Sequence, residues 1–135
     1  MGLLIAFAAD ETKNPQVILI DHEKIDAIFA KGGPILNTDS FKIMAGHRTG
    51  PGEGEIHDRD TDIFYILEGS ATFVTGGKPM DTRTTDPGET RGKRIEGGEA
   101  RHLVKGDIIV IPTGVPHWFK EVSGTFNYYV VKVTK

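Results

Sequence analysis

The segment Gly106-Asp107-Ile108-Ile109-Val110-Ile111-Pro112-Thr113-Gly114-Val115-Pro116-His117 carries more structural information than any other part of this chain. Asp107 to Ile111 is a β-branched run of strand length, and it stops at a proline that lacks the N–H needed to extend a ladder. Gly114 permits positive φ, and Pro116 forces Val115 to be extended, so the turn is compact. His117 then opens the next strand.

A second polar constellation precedes it, Glu55-Ile56-His57-Asp58-Arg59-Asp60-Thr61-Asp62, followed by Ile63-Phe64-Tyr65-Ile66-Leu67-Glu68-Gly69. Side chains alternate along a strand, so Glu55 and His57 share a face. Asp62 is an odd number of positions later. It faces the same way if Asp58 to Thr61 is a turn and a new strand restarts at Asp62, and Phe64 and Ile66 then line the same interior.

Working outward, short runs rich in β-branched and aromatic residues are each bounded by Gly, Pro, Asp or Asn. They predict strands over Phe41 to Ala45, Glu55 to His57, Asp62 to Leu67, Ala71 to Val74, Ala100 to Val104, Asp107 to Ile111, His117 to Val122 and Phe126 to Val133. One helical period starts at Asp21 as N-cap, with Ile25, Ile28 and Phe29 on one face, and ends at Gly32-Gly33-Pro34. Such a pattern predicts an antiparallel sandwich or barrel with one short N-terminal helix. Thr75 to Gly98, punctuated by Gly76-Gly77, Pro79, Pro87-Gly88 and Gly97-Gly98, is expected to be a long exposed excursion, either a lid or rim over the barrel mouth or a solvated hairpin.

The two constellations resemble the paired motifs of the cupin superfamily. Gly106, Pro112, Gly114 and His117 match every named position of its second motif, Gly-x5-Pro-x-Gly-x2-His. In its first motif, Gly69 sets the register, Asp62 takes the glutamate position, His57 the second histidine and Glu55 the first. The resemblance spans roughly Ser40 to Val133 and implies an all-β, antiparallel double-stranded β-helix, or jelly-roll barrel. It divides the chain into an N-terminal segment, 1–39, and a small single-domain barrel, 40–135. It also implies one divalent metal ion held by Glu55, His57, Asp62 and His117, where the family places three histidines and a glutamate. Imidazole and carboxylate together suit Zn, Fe, Mn, Ni or Co. Asp is one methylene shorter than Glu, which leaves three-ligand sets open: Glu55, His57 and His117, or His57, Asp62 and His117.

Phe64, Ile66, Phe73 and Phe119 are the expected pocket lining. A carboxylate that does not bind metal, Glu55 or Asp62, would be the natural general base, given a raised pKa. Trp118 alternates with His117 and is expected to face outward. His102 is read as a partly exposed strand residue, and His22 and His47, in the helix and at a loop entrance, receive no role. Arg48, Arg59 and Arg91 are either rim groups for an acidic substrate or surface solvation.

The 135 residues, 38% hydrophobic, suffice for one core. Sixteen basic and nineteen acidic residues leave a formal charge of −3 without a basic cluster, which argues against a nucleic-acid partner. No apolar run approaches the ~20 residues of a membrane span, so a soluble protein with no membrane partner is expected. Cysteine is absent, which removes disulfides, thiolate ligands and a cysteine nucleophile. Leu3 to Ala9 resembles the tail of a secretory h-region with an Ala6-x-Ala8 cleavage site, though no basic n-region precedes it. Export to the periplasm or beyond is one reading of this stretch, an ordinary first strand or helix the other.

Three functional classes remain: a metal-dependent isomerase, lyase or dioxygenase acting on a small polar molecule in the pocket; a non-catalytic module that binds a small ligand or metal; and an assembly protein whose barrel has lost its metal. The resemblance also implies a homodimer, built through sheet edges or exchanged N-terminal strands, to which the apolar Val17-Ile18-Leu19-Ile20 run could contribute.

Overall fold

The computed structural model describes residues 15–135. The signal-like stretch from Leu3 to Ala9 therefore lies outside the described residues. Asp21 caps helix α1 (His22–Phe29) by accepting from the Lys24 backbone N–H at 3.1 Å. Ile25, Ile28 and Phe29 pack with Ile35, Leu36 and Ala45 in a small outer core. Strands β1 (Gly33–Asn37) and β2 (Phe41–Arg48) pair antiparallel, and α1 makes contacts with both.

Strands β4 (Asp60–Thr75) and β11 (His117–Thr134) form the frame. They run antiparallel from Asp60↔Thr134 to Thr75↔His117, with register breaks between Phe119 and Glu121 and between Ser123 and Tyr128. Each had been expected as two strands. Gly69 takes φ 82° and Gly124 φ 67°, and these left-handed residues bend the ladder without ending it. Beside this pair lie β3 (Gly54–His57), β9 (Glu99–Val104) and β10 (Ile108–Ile111). The sheet curls round a core in which Ile66, Phe73 and Phe126 are fully buried. Each such side chain contributes about 1.5–3 kcal/mol relative to exposure. The architecture is the jelly-roll barrel expected, with one short helix among the described residues.

The stretch from Thr75 to Gly98 is exposed over much of its length, as expected, but it is not irregular. It folds into β5 (Lys78–Met80), β6 (Arg83–Asp86), β7 (Glu89–Gly92) and β8 (Arg94–Glu96). β7 adds to the edge of β3 in the register Glu55↔Arg91 and His57↔Glu89, while β5 and β8 form a separate two-stranded sheet. Val17 to Ile20, by contrast, joins no ladder, and Val17 and Leu19 are exposed. No helix among the described residues is long and apolar enough to cross a membrane.

Candidate metal centre

Gly114, at φ 82°, occupies the left-handed region that its turn requires, and its N–H donates to the His57 carbonyl at 2.8 Å. That bond ties the loop delivering His117 to the strand delivering Glu55 and His57. On β11 the inward parity that begins at His117 resumes beyond the bend as Phe126, Tyr128, Val130 and Lys132. Lys132 stands opposite Asp62 in the β4–β11 register.

The imidazoles of His57 and His117 lie 4.9 Å apart between centroids, and both residues are buried. Glu55 Oε2 is 3.7 Å from Nε2 of each. One donor atom from each of Glu55, His57 and His117 falls within 4.8 Å of the others, a spacing that would admit a shared ion. Asp62 Oδ2 is near as well, 3.3 Å from His57 Nε2 and 3.6 Å from His117 Nε2. Both oxygens of Asp62, however, accept from Lys132 Nζ, at 2.9 and 3.1 Å. Of the three-ligand sets left open, this arrangement favours Glu55, His57 and His117.

The other ring nitrogens fix the imidazoles. His117 Nδ1 is 3.0 Å from the Val115 carbonyl, which can only accept, so Nδ1 carries the proton. His57 Nδ1 makes a short hydrogen bond to the Glu89 carboxylate. Both Nε2 atoms therefore turn inward; His57 Nε2 has Asp62 Oδ2 at 3.3 Å and Lys132 Nζ at 3.4 Å beside it, whereas His117 Nε2 is buried with no hydrogen-bond partner. A buried acceptor left so is costly unless something fills its place. Imidazoles oriented through Nδ1 toward a carbonyl and a carboxylate are the usual support of metal-binding histidines. The donor set thus fits a divalent ion.

Charge at the centre is strongly polarised. Burial would raise the pKa of Glu55, but the neighbouring imidazoles and the Arg91 guanidinium at 3.0 Å outweigh it and hold the carboxyl below its usual range. At Asp62 burial is likewise outweighed, by His57 and Lys132, and the pKa is lowered. Neither carboxylate meets the raised-pKa condition set for a general base. Both are ionised at neutral pH and suited to balancing a dication. At His57 burial disfavours the cation and Lys132 opposes it, yet Asp62 and Glu89 prevail and the pKa rises.

Beside the centre opens a cavity of about 870 Å³, within the range of small-molecule sites. Of the expected lining, Phe64 and Phe119 face it, whereas Ile66 and Phe73 lie in the core. Trp118 is not simply outward: its Nε1 donates to the Gly52 carbonyl at 2.8 Å. His47 belongs to β2, not to a loop entrance, and meets Asn127 Oδ1 at 2.7 Å. His102 and His22 are exposed.

Lys132 and Glu89 were missed from the sequence. Alternation counted from Phe126 would have brought Lys132 to the inner face, but counted from His117 it would not, because the register shifts between them change the parity. Nothing local marks Glu89, whose position depends on β7 adding to β3.

A family model described as Cupin matches residues 52–135, well over half of the chain. The chain belongs to the cupin family. No curated protein matches this cupin. Its solved structural relatives are distant: a Bacillus halodurans protein (TM-score 0.62, 12% identity) is matched over 91% of this chain and 85% of that one. A cupin superfamily protein of Desulfitobacterium hafniense (TM-score 0.55, 15%) is matched over 77% and 76%. The DMSP lyase DddQ of Ruegeria pomeroyi (TM-score 0.52, 22%) is matched over 76% of this cupin and 42% of its own chain. At these identities the likeness is one of fold.

Proposed function

We propose that this cupin is a metal-dependent enzyme acting on a small polar organic molecule in its barrel cavity, with one divalent ion held by Glu55, His57 and His117. The observation that carries this reading is the buried, unpartnered Nε2 of His117, aimed with the Nε2 of His57 toward an ionised Glu55. Two imidazoles and one carboxylate leave coordination positions open. When bound, such an ion supplies Lewis-acid polarisation of a ligand oxygen.

The chain's own residues supply the rest. Val115 and Glu89 hold the imidazoles in one tautomer, Lys132 keeps Asp62 engaged beside them, and Phe64 and Phe119 exclude water from one wall. The two-histidine, one-carboxylate set suits iron and dioxygenase chemistry; zinc, manganese or nickel on the same ligands suits an isomerase or lyase. The existence of a lyase on this fold is compatible with the second branch.

Elemental analysis of untagged protein purified without chelator tests the reading. We expect near-stoichiometric metal, lost in both His57→Ala and His117→Ala with the fold retained. Oxygen uptake with a metabolite panel separates the dioxygenase branch from the other. Metal below about a tenth of an equivalent after supplementation would overturn the proposal and leave a metal-free binding or assembly role.

A further inference from the structure

Of the basic side chains bordering the cavity, Arg91 is matched to Glu55 and Lys132 to Asp62, whereas Lys31, Lys42, Arg48 and Arg59 have no carboxylate partner among the described residues. Of these, Arg48 is half-buried and held from three sides. Its guanidinium lies 4.6 Å over the Phe119 ring, and its Nε donates to the Tyr128 hydroxyl at 3.1 Å. Gly52 closes the third side: a Cβ there would stand 2.6 Å from Nη1 and 3.0 Å from Cζ of Arg48. Gly52 is itself pinned, its N–H donating to the Phe119 carbonyl and its carbonyl accepting from Trp118 Nε1.

Tyr128 is placed with equal care. Gly46 faces it in the β2–β11 register, and a Cβ at that position would fall on the phenol ring. Burial pushes the Tyr128 pKa up, so the hydroxyl keeps its proton. Its oxygen accepts from Arg48, and among the described residues no acceptor receives its hydrogen. Arg48 Nη1 and Nη2 and the Tyr128 hydroxyl are thus donors on the cavity without acceptors.

We propose that Arg48 and Tyr128 form a subsite for the carboxylate of a small organic acid, and that this acid is the cavity's substrate. The second half rests on the enzymatic reading above; the first does not. A fork of guanidinium donors beside one hydroxyl matches a planar, two-oxygen anion. Glu55 and Asp62 border the same cavity, and their negative charge disfavours a doubly charged phosphate there. The distance to the metal centre is spanned by an aromatic floor. Phe119 stacks on Phe64 with centroids 5.8 Å apart and planes 14° apart, and Phe64 meets His117 edge-on at 6.3 Å. An acid anchored at Arg48 lays its carbon skeleton along these rings, with its far end at Glu55, His57 and His117.

The test uses the full chain stripped of metal, so that chelation cannot account for binding, with propionate and propionamide as matched probes. Titration followed by the indole N–H NMR resonance of Trp118, which donates to Gly52 beside Arg48 and is retained in every variant, should show saturable binding of propionate and none of propionamide. Arg48→Gln should weaken propionate at least tenfold. Arg48→Lys, which keeps the charge but loses the fork, should fall between, and Gly52→Ala should weaken it while leaving both donors in the sequence. Unchanged propionate binding in folded Arg48→Gln, equal binding of propionamide, or tighter binding of inorganic phosphate would each overturn the carboxylate subsite. Metal uptake is measured separately, so loss of the metal centre and loss of the subsite give different results.

Discussion

Asp62 accepts from Lys132 through both oxygens, whereas Glu55 has one oxygen on Arg91 and the other 3.7 Å from both imidazoles. The two carboxylates should therefore respond differently to neutralisation. Glu55→Gln is expected to lower metal affinity by more than the 10–100-fold typical of a supporting group, and Asp62→Asn by no more than that. Asp62→Asn instead leaves the Lys132 ammonium, largely buried, beside a neutral amide, at a cost of about 3–5 kcal/mol in stability. Competition against a chromophoric chelator and urea unfolding measure the two; the reverse order would make Asp62 the ligand. Tyr128 offers a reading by pH. Its folded pKa is raised by burial, so its contribution to stability is complete below the unfolded value of about 10 and is lost as pH rises through the raised folded value. Ultraviolet titration should show one of the three tyrosines ionising late, and that late step should vanish in Tyr128→Phe.

The turn between β10 and β11 was readable in advance because its constraints are local: a missing N–H at Pro112, positive φ at Gly114 and the restriction Pro116 places on Val115. Gly114→Ala meets no atom within 4 Å, so its cost is backbone strain alone, about 1–2 kcal/mol. A matching fall in the urea midpoint is expected, with weaker metal binding because His117 follows on the same turn. An unchanged midpoint would show that the turn tolerates a side chain. The strands β4 and β11 were divided too early because glycine inside a strand and glycine ending one look alike in sequence. Only pairing across Gly69 and Gly124 distinguishes a bend from a break. The segment from β5 to β8 failed for a related reason. Its charged strands carry little apolar alternation, and β7 owes its position to the open edge of β3.

At the scale of the molecule, large apolar side chains remain exposed before α1 and on β10: Val17 is 99% exposed, Leu19 86% and Ile108 65%. The homodimer expected from the family resemblance would cover Val17 and Leu19. Sedimentation should then show a dimer that Val17→Ser with Leu19→Ser converts to monomer; a wild-type monomer at all concentrations would contradict this. The strand-rich class, the helix cap at Asp21, the histidine turn and the facing of Glu55 with His57 followed from residue order, since dihedral preference and alternation act over a few neighbours. The engagement of Asp62 by Lys132, the hold of Glu89 on His57 and the placing of Arg48 between Phe119 and Gly52 did not. Each joins residues far apart in the chain, and only closure of the sheet determines which side chains share its interior.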